Sequence, residues 1–143
     1  MDINQLMEFT GNHMLLMLAL ITIIAMLIGG EIQERISGIT AVAPGEATRM
    51  INHDNALMID MRDDKDYREG HIVNAIHAPA SSGNDTGKLE KYRDKPVIVY
   101  CQRGQRSAAY CSKLKKQGFE SVYNLKGGLL AWQKETLPLS KKD

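Results

Sequence analysis

No charged residue occurs between Glu8 and Glu31, an interval of 22 positions (9 to 30). Within it, residues 14–28 read MLLMLALITIIAMLI, with Thr22 the only polar member. An α-helix of about 20 residues rises about 30 Å, the thickness of a bilayer's hydrocarbon core. The apolar side chains fall on every side of such a helix, not along one stripe. That points to lipid or deep burial and away from an amphipathic surface helix. The strictly apolar run is short, so residues 9–12 or Gly29 and Gly30 must complete a span. The rest of a 143-residue chain rarely wraps a helix that is apolar all round. A cleaved secretory signal fits poorly. Residues 1–13 carry no Lys or Arg, and the A-x-A string nearest the apolar run, at 41–43, is followed by Pro44. The sequence therefore predicts one uncleaved transmembrane helix, with residues 1–38 as anchor and juxtamembrane segment. All 18 Lys and Arg follow the apolar run. By that asymmetry the N-terminus lies outside and a C-terminal domain, 39–143, lies in the cytoplasm, on the inner (plasma) membrane.

The remaining composition excludes several classes. Lys+Arg 18 against Asp+Glu 17 leaves a net charge of +1, so a strongly basic nucleic-acid binder is not expected. Two cysteines are too few for a disulfide scaffold or a Cys-rich zinc site. Cys101 and Cys111 are also too far apart for the C-x-x-C of a thioredoxin-type pair. His77 with either cysteine lacks metal-ligand spacing, so a metal site is not expected.

After the apolar segment, strand and helix patterns alternate. Short β-type runs fall at 39–42, 56–61, 72–77, 97–100 and 121–125. Helical patterns fall at 44–52, 65–69, 107–117 and 129–135, with a helical turn at 88–92. Pro44 suits a first turn, and Asp63 and Asp64 offer an N-cap. Gly70 and Gly118 supply stops, and residues 81–87 (SSGNDTG) read as a loop. Ala108, Cys111 and Leu114 mark an inward helix face. This order describes an α/β domain with a largely parallel sheet.

Cys101 sits where chemistry concentrates in such sheets, at the carboxyl end of the strand VIVY. The loop after it feeds a helix N-terminus and contains Gly104, Arg103 and Arg106. Successive N–H groups of such a loop aim inward as an anion nest, and the helix dipole adds positive potential. All of this favours thiolate over thiol at Cys101. Cys111, on the inward helix face, reads as a small core residue. Two chemistries use a cysteine so placed. A phosphocysteine needs C-x5-R to hold a tetrahedral phosphoryl group. Cys101 to Arg106 is C-x4-R, a tighter nest that suits one added sulfur atom as a persulfide.

The loop Cys101-Gln102-Arg103-Gly104-Gln105-Arg106-Ser107 resembles the active-site loop of rhodanese-family sulfurtransferases, C-x-x-G-x-R-S/T. Three further segments resemble that family: residues 57–62 (LMIDMR, a strand ending in D-x-R), 69–76 (EGHIVNAI) and 127–132 (GGLLAW). Together the four cover about residues 40–137. The resemblance implies a rhodanese-like five-stranded parallel sheet flanked by helices, here preceded by one transmembrane helix. It implies a double displacement in which Cys101 is the catalytic nucleophile and sulfur carrier, with no metal or organic cofactor. A donor such as thiosulfate loads the sulfur, and a thiol or cyanide accepts it. The substrate-binding residues would be Gln102, Arg103, Gly104, Gln105 and Arg106, the first to the last supplying N–H groups and the two arginines attracting an anionic donor. Arg106 is alternatively tied to a carboxylate. Asp60, Arg62 and His71 read as orienting residues. Expected partners are the small-molecule donor and acceptor and a membrane crossed once; a protein sulfur acceptor or membrane partner stays open. Two other readings stand beside this one: a membrane-tethered interaction module of the same fold, and a phosphatase or arsenate-reductase-like enzyme.

Overall fold

The computed structural model describes residues 2–83 and 87–141. The expected loop at 81–87 therefore lies partly outside the described residues. The chain packs as two units, residues 1–36 and 37–143.

The first unit contains helices α1 (Ile3–Asn12) and α2 (Met14–Ser37). The His13 N–H closes α1 on Phe9 O at 3.1 Å, and the two rings approach to 4.6 Å. The axes of α1 and the apolar stretch Met14–Gly29 differ by 94°. This corrects the expectation of one continuous span: residues 9–12 belong to a separate helix. The stretch Met14–Gly29 alone is about 24 Å long, short of a bilayer core, and Glu31 follows. Among the described residues no single helix is long and apolar enough to cross a membrane; the bent pair reaches that length and composition only when its two helices are taken together. The α2 side chains Leu15, Leu16, Leu18 and Ile21, which point in successive directions, are all exposed.

The second unit is built on a five-stranded, all-parallel sheet in the order β1 (Thr40–Val42), β6 (Val122–Leu125), β5 (Val97–Tyr100), β2 (Leu57–Asp60), β4 (Ile76–His77). Helix α3 (Pro44–His53) links β1 to β2, with Pro44 in its first turn as expected. Helix α4 (Asp64–Glu69) follows β2. Asp63 occupies its N-cap position, but its side chain makes no capping bond. Helix α5 (Gln105–Lys116) follows β5, and α6 (Gly128–Lys134) follows β6.

Alternation along the central strand divides the core. Val97 and Val99, with Ile59 of β2, pack against Tyr110, Cys111 and Leu114 of α5. Ile98 and Tyr100, with Met58, pack against Ala47 and Met50 of α3 and Leu129 and Trp132 of α6. All four residues of β5 are fully buried, as a central parallel strand covered on both faces requires. Cys101 continues this period onto the α5 side.

Two differences from the sequence reading have local causes. The single strand expected over 72–77 is divided by a turn. Asn74 adopts φ +62 and the Ala75 N–H bonds Ile72 O at 3.0 Å. The piece β3 (His71–Ile72) then pairs antiparallel with β7 (Leu139–Ser140), a strand too short to be seen as a pattern. The inward face of α5 comprises Ser107, Tyr110, Cys111 and Leu114, while Ala108 is half-buried. The helix starts at Gln105, two residues earlier than expected, so Ser107 lies within its first turn.

Candidate active site

The Cys101 loop is shaped by what holds its carbonyls. The N-terminus of α6 presents N–H groups with no intrahelical partner. Leu129 N–H donates to Cys101 O at 2.9 Å and Leu130 N–H to Gln102 O at 3.2 Å. Asn124 Nδ2 donates to Gly104 O at 2.9 Å. With those carbonyls drawn toward α6 and β6, loop N–H groups turn to the other side, where Cys101 Sγ lies. Gly104 N–H donates to Sγ at 3.1 Å, and Ser107 Oγ stands 3.4 Å from it. Gly104 takes φ +89, a left-handed value that a side chain resists.

The close approach of α6 depends on glycine. A Cβ on Gly128, itself at φ +60, would lie 2.5 Å from Cys101 O, 2.7 Å from Gly104 N and 2.8 Å from Arg103 N. All three are backbone atoms of the Cys101 loop, so the added atom has no free space. Gly128→Ala is expected to displace the loop and lower the turnover of whatever Cys101 carries out by about a hundredfold. Steady-state rates of the purified variant check this; a near-normal rate would mean that the loop tolerates the shift.

Burial pushes the Cys101 thiol upward. The Ser107 hydroxyl and the N–H groups of Ser107, Arg103 and Gly104 outweigh it, and the thiol is held below its ordinary value. Ser107 N–H is available because α5 begins at Gln105. The sequence predicts a share of this effect for the arginine side chains. In the structure Arg103 and Arg106 are exposed and the largest favourable contributions are hydrogen bonds. Among the described residues neither arginine is paired with a carboxylate. Gln102 and Gln105 are exposed beside them.

Asp60 and Arg62 form a buried fork at the end of β2. Arg62 Nη2 donates to Asp60 Oδ2 at 2.7 Å and Nε to Oδ1 at 3.0 Å. The same guanidinium donates to Gly70 O at 2.7 Å and to Gln102 Oε1 at 3.4 Å, and lies 5.7 Å from the Tyr100 ring centre. The pair thus ties β2, the end of α4 and the Cys101 loop together. His71 is buried, its Nδ1 2.9 Å from Tyr67 O and its ring stacked 3.8 Å from that of Tyr67. His77 stacks on the other face of Tyr67 at 4.2 Å, and its Nε2 lies 2.9 Å from Arg62 O. Among the described residues neither histidine is a hydrogen-bond partner of Cys101 Sγ, whose partners are Gly104 and Ser107.

Two residues of the site received no role from the sequence. Ser107 was visible as the last member of the loop motif. Asn124 was hidden in the strand 121–125, where one polar residue gives no sign of burial. Both are buried, and Ser107 Oγ donates to Asn124 Oδ1 at 2.6 Å.

A parallel α/β sheet with a cysteine cradled by backbone N–H groups between its central strand and a helix defines a rhodanese-type domain. The chain belongs to the Rhodanese-like domain family, whose match covers residues 43–135. It is 36% identical over 137 residues to the uncharacterised protein YibN of Escherichia coli strain K12, covering 94% of this chain and 96% of that one. It is also 36% identical over 93 residues to the thiosulfate sulfurtransferase GlpE of Coxiella burnetii, covering 62% of this chain and 81% of the relative. Among solved structures, a rhodanese-related protein of Thermoplasma volcanium superposes with a TM-score of 0.65 at 26% identity, over 72% of this chain and 99% of that one.

Proposed function

We propose that the protein is a membrane-anchored sulfurtransferase that carries sulfane sulfur as a persulfide on Cys101. The observation that carries this reading is the placement of Sγ, 3.1 Å from Gly104 N–H in a loop whose carbonyls are held elsewhere. The sulfurtransferase relative of the same family supports it. The Cys101 thiolate attacks the outer sulfur of thiosulfate. A Cys101 S–S bond forms, the thiosulfate S–S bond breaks, and sulfite leaves with the electron pair. The negative charge then lies on the terminal sulfur, where the loop N–H groups can receive it. A thiolate or cyanide attacks that sulfur, taking it away as persulfide or thiocyanate and regenerating the Cys101 thiolate. Mass spectrometry of the purified protein after thiosulfate treatment tests the reading. One added sulfur is expected; an unchanged mass, with aryl phosphate hydrolysed instead, would assign the loop to phosphoryl chemistry.

Arg103 and Arg106 attract the dianionic donor at the rim of the site. Because both are exposed, each contact is screened. Arg103→Ala is expected to raise KM for thiosulfate about two- to fivefold and to flatten its salt dependence. Equal KM values at low and high salt for both proteins would place this side chain away from the donor.

The anchor reading rests on the uncharged interval 9–30 and on the exposed apolar side chains of α2, which in water would need cover. Every Lys and Arg follows that interval, which favours a cytoplasmic catalytic domain on the inner membrane. A reducing compartment also keeps Cys101 free and supplies small thiols as acceptors. The domain should resist protease added to spheroplasts and become digestible once the membrane is opened. Digestion in intact spheroplasts would reverse the topology, and release without detergent would remove the anchor.

A further inference from the structure

Ser107 and Asn124 form a buried hydrogen-bond chain beneath Cys101 that the sulfur-transfer steps do not employ. The Asn124 amide has one workable orientation. Gly104 O only accepts, so Nδ2 faces it at 2.9 Å and Oδ1 faces Ser107 Oγ at 2.6 Å. Counting hydrogens fixes the direction of the chain. When Cys101 is a thiol, its S–H donates to Ser107 Oγ, and the Ser107 hydroxyl donates to Asn124 Oδ1. Every group is then satisfied. Ionisation removes one hydrogen. Cys101 Sγ, Ser107 Oγ and Asn124 Oδ1 are left as three acceptors around one hydroxyl proton. If that proton swings to Sγ, the buried Asn124 Oδ1 loses its donor, and such an orphaned acceptor is costly.

We propose that Asn124 is a positioning residue acting through Ser107: it holds the Ser107 proton while Cys101 is a thiol, yields it to the thiolate, and regains it once sulfur is attached. The last of these steps rests on the sulfur-transfer reading. In the persulfide Sγ is bonded to carbon and sulfur and the charge lies one atom further out. Sγ then competes weakly for the hydroxyl proton, which returns to Asn124. Asn124 thus makes the bare thiolate less stable than the loop alone would, and tilts the site toward its loaded form.

The other groups around Cys101 do not supply this effect. On its own loop, Arg103 and Arg106 are exposed. From β2, Asp60 and Arg62 neutralise each other and reach the loop only through Gln102. From β5, Tyr100 is held neutral, its phenol raised by burial. From α5, Tyr110 is raised by burial and Cys111 stays a thiol. From α6, Gly128, Leu129 and Leu130 carry no charge.

The test uses the full-length protein in a Cys111→Ala background, with Asn124→Leu replacing the amide by an apolar group of similar size. Ser107 then has Sγ as the remaining acceptor for its proton. The pH midpoint of Cys101 alkylation by iodoacetamide is expected to fall by about one unit, tenfold in the ionisation equilibrium. The thiosulfate–sulfite loading equilibrium should move about tenfold toward the unloaded protein. When Ser107→Ala is also present, Asn124→Leu should move neither quantity. A midpoint that rises or stays, or a shift that persists without Ser107, would overturn the proposal and leave Asn124 as a tether for Gly104. Should Asn124→Leu fail to fold, the infrared S–H band of Cys101 decides, taken as a difference from the Cys101→Ala protein. A band lowered by donation to Ser107 is expected, and a free S–H band overturns the proposal. A shifted midpoint in a protein that never gains sulfur would overturn the sulfur-transfer reading instead, leaving the role of Asn124 in ionisation intact.

Discussion

Cys101→Ala is expected to abolish sulfur loading from thiosulfate, while Cys111→Ala retains most of it. The two thiols lie in one core cluster and differ in their hydrogen-bond partners. Cys101 receives N–H donors from its loop, which hold it below the ordinary thiol value against the effect of burial. Cys111 is fully buried, donates its own proton to Tyr123 O at 3.3 Å, and is pushed up to about 12 by burial. At neutral pH it is a thiol facing a carbonyl, and a thiol is a poor nucleophile. The sign of the pH dependence follows. Loading should be full above the Cys101 midpoint, which lies below that of a free cysteine, and should decline as pH falls through it. Mass spectrometry of the two variants after thiosulfate, across pH, checks both statements. Sulfur found on Cys111 in the Cys101→Ala protein would reverse the assignment.

Arg62→Ala is expected to destabilise the domain by about 3–5 kcal/mol, because it leaves Asp60 as an uncompensated buried carboxylate. Asp60 is fully buried and Arg62 nearly so. Burial opposes the charge on Arg62, and the hydrogen bonds and charge of Asp60 more than restore it. The same change removes the bonds to Gly70 O and Gln102 Oε1. The melting temperature should drop by roughly 12 °C or more for a domain of this size. Calorimetry of the variant checks the value. A drop of only a few degrees would mean that water enters and solvates Asp60. Asp60→Asn, which leaves a neutral partner for the guanidinium, should damage the fold as well, since the buried positive charge is then uncompensated.

Much of the fold was legible because its signals are local. VIVY at 97–100 is apolar at every position, which only a central strand covered on both faces requires, and the strand occupies those four residues. Pro44 opened α3 through its fixed φ, and Gly118 followed the last turn of α5. The position of Cys101 at the carboxyl end of that strand was equally local, as was the glycine that lets the chain turn after it. The division of 72–77 was not legible, since its apolar residues suit either one strand or two, and β7, the partner of β3, lies more than sixty residues away. The break at His13 had a local signal in the turn formers Gly11 and Asn12, but the absence of charge across residues 9–30 masks it when the interval is read as one span.

The sequence by itself determined the α/β class, the strand at 97–100, the place of Cys101 at its carboxyl end and the length of the loop that follows. These follow from side-chain period, backbone freedom and charge within a few neighbouring residues. Only the tertiary structure decided how that loop is held. Its carbonyls are bound by α6 and Asn124, its backbone is approached closely by Gly128, and its far side is tied through Gln102 to Arg62 and Asp60. The partners are separated from Cys101 by 23 (Asn124) to 41 (Asp60) positions, so no local pattern pairs them. Hydrogen bonds and van der Waals contacts act over a few ångströms, and which distant groups come that close is set by the packing of helices on both faces of the sheet.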